Sequence, residues 1–140
     1  GRRVFVCLTA RTDEAGAASL ARALNPAGYT LSTLAVDGVL HLKSAASVVA
    51  PGLLLIDPEC VDATAFADFD VVTVAPGEGP AANALRLAGT VLLSAGFPAT
   101  RRKLEERGLA VRSVENAELA KAEGGLTCCS LIFYVAESAR

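Results

Sequence analysis

Histidine occurs once in these 140 residues, and methionine and tryptophan do not occur at all. One histidine cannot form a zinc site of ordinary ligand number unless several cysteines converge on it. The four cysteines, at positions 7, 60, 128 and 129, are too irregularly spaced to suggest a disulfide framework. A reducing cytoplasm is therefore the expected location. Long apolar runs are also missing: stretches such as Ala50–Ile56 and Thr90–Gly96 fall far short of the roughly 20 residues a membrane helix needs. The net charge of −2 comes without a basic stripe or an acidic tail, which argues against nucleic-acid and membrane partners. No charged start followed by an apolar run marks secretion. The lack of methionine and the opening Gly1-Arg2-Arg3 lead us to expect a piece of a longer protein.

What is present suits a packed core. Apolar residues make up 52% of the chain and charged residues 20%, the balance of a globular domain. Val4–Leu8 reads as a strand, and Thr12 or Asp13 can cap a helix carrying Ala17, Leu20, Ala21 and Leu24 at helical spacing, which Asn25-Pro26 ends. Tyr29–Val36 and Val39–Ser44 read as two further strands joined at Asp37-Gly38. Leu53–Ile56 reads as a buried strand, Asp62–Phe69 as a weak helix and Val71–Ala75 as a strand. Ala84–Leu87 and Val91–Ser94 read as a hairpin about Ala88-Gly89, followed by a helix from Pro98 to Gly108 and a strand over Leu109–Val114. A short helix over Glu115–Ala122 and a strand over Leu131–Val135 complete the pattern, and Ala75–Pro80 reads as a surface loop. The order of elements recurs about three times, which predicts an α/β fold of repeated modules or an ordinary doubly wound sheet.

Few residues invite a chemical role. Alternation along Val39–Lys43 places His41 with Val39 and Lys43, opposite Leu40 and Leu42. By residue type alone, a half-buried histidine satisfied by a carbonyl stands ahead of a catalytic one. Cys128-Cys129 follows Gly124-Gly125, where a turn can expose a thiol. A nucleophile there would need nearby donors or cations to lower its pKa. The plain alternative is a pair of small buried side chains. Arg11 sits between a strand and a helix, and its planar fork would suit a carboxylate; a solvated arginine serves equally. Glu123 could meet a cation or simply face water. No P-loop or dinucleotide fingerprint occurs.

Leu40-His41-Leu42-Lys43-Ser44 and Gly125-Leu126-Thr127-Cys128-Cys129-Ser130 resemble the histidine and cysteine motifs of dimethylarginine dimethylaminohydrolases, in the amidinotransferase (pentein) superfamily of guanidino-modifying enzymes. Their order and separation correspond too. Further similarity runs through Leu8–Thr12, Ala81–Asn83 and Ala120–Glu123, so the likeness spans nearly the whole chain. It implies a propeller of five ββαβ modules, residues 1–140 being the carboxyl-terminal part of one domain. It also implies hydrolysis of Nω,Nω-dimethylarginine or Nω-monomethylarginine to citrulline and a methylamine through a cysteine thiouronium, without metal or organic cofactor.

Carried over residue by residue, Cys128 is the nucleophile and His41 the acid/base. Arg11 binds the substrate carboxylate, Ala122 offers a backbone carbonyl and Glu123 lies near the guanidinium; Cys129 receives no role. The family commonly has asparagine where this chain has Asp13, and often aspartate where it has Glu123. No Asp or Glu here matches the family's acidic residue that orients the histidine, so the amino-terminal half of the site is expected from outside this chain. Arginine deiminase or amidinotransferase activity and a non-catalytic guanidino-binding module remain alternatives. Uncovered module faces predict homodimerisation or poor solubility of the isolated chain.

Overall fold

The computed structural model describes residues 2–133. Strands β1 (Arg3–Leu8) and β2 (Thr30–Ala35) pair in parallel across helix α1 (Glu14–Leu24). The next unit orders β3 (Ala46–Ala50), β4 (Leu53–Ile56) and β5 (Asp70–Thr73) side by side, the first pair antiparallel and the second parallel. The third repeats that arrangement with β6 (Leu85–Leu87), β7 (Thr90–Ser94) and β8 (Ala110–Val114). Its crossover is helix α3 (Pro98–Glu106), whereas a single 3-10 turn at Ala63–Phe66 makes the crossover in the second unit. The third unit is a full ββαβ module, and the first has the βαβ part of one. Two short helices, α2 (Leu42–Ala45) and α4 (Ala117–Ala120), lie in connections.

Local chemistry accounts for these elements. Asp13 caps α1, its Oδ1 accepting the Gly16 N–H at 2.7 Å; aspartate and asparagine serve this position equally. Ala88 and Gly89, with φ of 48° and 84°, turn the β6–β7 hairpin in the left-handed region that two-residue hairpins favour. All four residues of β4 are buried because the strand divides two cores. Leu53 and Leu55 join Val49, Val72, Val91, Leu93 and Leu104 on one side. Leu54 and Ile56 join Ala45, Val61 and Phe66 on the other, with Phe5 stacked edge-on against Phe66.

Three expectations need correction. Val39–Ser44 is not a strand. Leu42 and Ala45, three apart, both turn into the second core as one turn of helix, while Leu40, expected on the same face as Leu42, is 41% exposed. The strand of this unit instead lies just after, at β3. Ala75–Pro80 is more than a loop, since Gly79–Ala82 forms a 3-10 turn. Leu131–Phe133 lies in no strand, and the remainder of that expected strand falls outside the described residues.

Candidate active site

Cys128 stands on a turn closed by one carbonyl. Gly125 O accepts the N–H groups of Cys128 at 3.2 Å and Cys129 at 3.3 Å, and the Ser130 hydroxyl donates to Leu126 O at 2.8 Å. The turn leaves both thiols free and exposed. Hydrogen bonding from the Gly125 backbone holds the Cys128 thiol below its ordinary pKa. Partial burial opposes this, while the side chains of Asn83 and Thr127 and the charge of Lys43 reinforce it. A reading of Cys128 as a core residue is therefore wrong.

Beneath the turn lies Asn83, only 7% exposed. Its Oδ1 accepts both the backbone N–H of Thr127 at 3.0 Å and the Thr127 hydroxyl at 2.8 Å, and its Nδ2 donates to Cys128 Sγ at 3.7 Å. The chain between the turn and α4 brings Glu123 and Gly124 alongside. Glu123 N–H reaches Ala120 O and Gly124 N–H reaches Leu119 O, the paired bonds of a Schellman helix end, with Glu123 left-handed at φ 58°. The same bond pattern follows α1 at Gly28 (φ 76°) and ends α3 at Gly108 (φ 77°). Glu123 thus occupies a position where this chain otherwise places glycine, a strain of the sort that collects at functional sites. Ala122, exposed, precedes it in the same turn.

His41 is exposed and begins α2 in extended conformation, its carbonyl accepting the Ser44 N–H at 2.9 Å. Helix α2 packs against the 3-10 turn that Asn83 terminates. That contact brings the His41 loop to the end of the molecule holding Cys128, where the charge of Lys43 acts on the thiol. Arg11 occupies a separate shallow depression with Thr9, Thr12 and Asp13. Thr9 links it to the histidine loop: the Thr9 hydroxyl oxygen accepts the Arg11 N–H at 3.1 Å, and the hydroxyl donates to Leu40 O at 3.1 Å.

A cleft of about 430 Å3 adjoins the Cys128 turn and is walled by Gly125, Asn83 and Glu123. Cys128 and His41 do not themselves line it, although Val39 and Ser44 on either side of the histidine do. Of the described residues lining it, Asp57, Glu115 and Glu123 are acidic and none is basic, an environment that favours a cation. Asp57, Asn83 and Ser47 were the residues hardest to read from sequence. A lone serine within the apolar run Ala45–Ala50 is one usable signal, since a buried hydroxyl must find partners. Asp57 at the carboxyl end of a buried strand is another. Among the described residues no cluster of His, Cys, Asp and Glu could hold a metal, and no helix is long and apolar enough to cross a membrane.

No protein-family model matches the chain. It is 32% identical over 133 residues to an N(G),N(G)-dimethylarginine dimethylaminohydrolase of Pseudomonas aeruginosa, covering 95% of this chain and 52% of the relative. A Streptomyces coelicolor protein of the same name is 30% identical, with 94% and 50% covered. The chain thus spans about half the length of the curated relatives it matches. Among solved structures, a cysteine-to-serine variant of the Pseudomonas aeruginosa enzyme complexed with citrulline matches with a TM-score of 0.88 at 32% identity, over 95% of this chain and 52% of that one. An amidinotransferase from Microseira wollei shares the fold, with a TM-score of 0.83 at 20% identity, over 94% of this chain and 44% of that one. The expected α/β modules of the pentein type are the observed ones.

Proposed function

Starting from the chain's relationship to the dimethylarginine dimethylaminohydrolase family, about half of whose length it spans, we propose that it carries the nucleophilic half of a site hydrolysing Nω-methylated arginines to citrulline. Residues 1–140 form the carboxyl-terminal part of a single α/β-propeller domain in this reading, and the rest of the fold brings the acidic residue that orients His41. The observation that carries it is the exposed Cys128 thiol, drawn toward its thiolate by the turn beneath it.

The chemistry follows from these groups. Cys128 Sγ attacks the central guanidinium carbon, and His41 passes a proton to the departing methylamine, leaving a covalent thiouronium. Neutral His41 then takes a proton from water, which attacks the same carbon, and the C–S bond breaks to release citrulline and the thiolate. Arg11 holds the substrate carboxylate in a bidentate pair. Glu123 faces the guanidinium and Ala122 O accepts from it. No step uses a metal or an organic cofactor. The Pseudomonas aeruginosa relative crystallised with citrulline as a cysteine-to-serine variant, and a histidine-to-glycine variant of a dimethylarginine dimethylaminohydrolase as an adduct with S-methyl-L-thiocitrulline; both support a cysteine and histidine site for this ligand class. The reading includes a reducing cytoplasm, which suits four unpaired thiols, and a homodimer that covers exposed module faces.

The test incubates the chain with Nω,Nω-dimethylarginine and with arginine, alone and with the complementary half of a relative, and measures citrulline. Turnover of dimethylarginine only in the complemented sample, lost in Cys128→Ser, is the expected result. Robust turnover by this chain alone overturns the half-site reading, and citrulline from arginine alone moves the assignment to a deiminase. Guanidino binding that Cys128→Ser leaves whole, without turnover, leaves a binding module.

A further inference from the structure

Asn83 has a backbone conformation that something else must hold. Its φ of −82° and ψ of 67° are those of an inverse γ-turn, whose own hydrogen bond would run between Ala82 O and Ala84 N–H. Ser47, 8% exposed on β3, stands in that gap. Its hydroxyl donates to Ala82 O at 2.6 Å and accepts the Ala84 N–H at 3.2 Å. Both flanks of Asn83 are therefore clamped to the neighbouring sheet by one buried hydroxyl.

The other end of the side chain is fixed just as firmly. A backbone N–H can only donate, so the group that meets Thr127 N–H must be the amide oxygen. The NH2 group is left pointing at Cys128 Sγ, at 3.7 Å. Gly125 lies against this amide so closely that a Cβ there would overlap it, which closes the third side. A rigid donor aimed at a sulfur favours the anionic form of that sulfur.

We propose that Asn83, clamped by Ser47, is the positioning residue of Cys128: it fixes the turn that presents the sulfur and directs an N–H at it when it is charged. The meaning for catalysis rests on the proposed function above, but the effect on the thiol does not. Among the described residues, Lys43 on α2 is the charged group acting on Cys128, and it is left intact in every variant.

The experiment measures iodoacetamide alkylation of each cysteine in the full chain against pH, resolved by mass spectrometry. Asn83→Asp keeps the shape and both Thr127 bonds but replaces the donor with a negative oxygen. Its Cys128 midpoint should rise by about one pH unit, making alkylation at pH 7 about tenfold slower, while Cys60 keeps its profile. Ser47→Ala leaves the amide present but loosens it, and should slow Cys128 in the same direction by less. A folded Asn83→Asp chain with an unmoved Cys128 profile overturns the proposal. If that variant does not fold, the wild-type chain decides: the Asn83 side-chain amide resonances must titrate with the Cys128 midpoint, and resonances that stay fixed while the thiol ionises overturn it. A shifted thiol profile in a chain whose complemented form makes no citrulline sustains this inference while removing the proposed function.

Discussion

A Cβ on Gly125 would overlap the side-chain amide of Asn83, so the residue three before Cys128 is held to glycine by the group that supports the sulfur. Gly125→Ala should cost about 1–3 kcal/mol, because the displaced amide is buried and already committed to Thr127. Gly52→Ala is the comparison, since nothing lies within 4 Å of its Cβ and only its φ of 75° resists substitution. It should lose about 1 kcal/mol. Parallel thermal melts separate the two, and equal losses would mean that the Gly125 contact adds nothing.

Glu123 strains its turn where Gly28 and Gly108 relieve theirs. Glu123→Gly should raise the unfolding free energy by about 1 kcal/mol, as a left-handed helix end does when glycine takes it. It also removes one of three carboxylates from the cleft. Weaker retention of a methylated arginine should therefore accompany the greater stability, read by calorimetry of the complemented protein. A gain in stability with unchanged affinity would make Glu123 a bystander.

How far the sequence could be read depended on where the determining interactions lie. Asp13 capping α1, the Ala88-Gly89 hairpin and the stop at Gly108 are each set by neighbours in the chain, and all three were legible. The helical turn that follows His41 was not. Apolar residues at positions 39, 40 and 42 fit a strand, and only the packing of Leu42 and Ala45 against Ile56 and Phe66 selects a helical turn. The Cys128 motif stood out by resemblance. The role of its support did not, although Asn83 lies in the similar stretch Ala81–Asn83, because Asn83 is 45 residues away and Ser47 another 36 beyond that, and no local pattern ties an amide to a distant turn.

The Cys60 and Cys128 thiols should part company as pH rises. Burial pushes the Cys60 thiol up, and the Asp57 carboxylate, 3.5 Å from its sulfur, pushes it further. The turn at Gly125 draws Cys128 down. Cys128 should therefore alkylate from below the ordinary thiol range of about 8.5, and Cys60 only above it. Asp57→Asn should bring Cys60 down without moving Cys128. Matching profiles for the two wild-type thiols would contradict both assignments.

Helix α3 takes its cap from a distant residue. Phe97 at its start offers no side-chain bond, and Glu78 reaches in instead, its Oε1 accepting the Ala99 N–H at 3.1 Å and its Oε2 the Thr100 N–H at 2.6 Å. Burial pushes the Glu78 carboxyl up, but these donors and the charge of Lys103 outweigh it and leave the pKa below the ordinary value. The cap's charge-dependent stabilisation is therefore fully present above the unfolded-state pKa of about 4.3 and is lost as pH falls through the lower folded value. Glu78→Gln should cost about 1 kcal/mol at pH 7, and the deficit should close in strong acid, where the wild-type carboxyl is also neutral. Urea titrations at both pH values measure it; a deficit of the same size in acid would show that shape rather than charge holds the helix end.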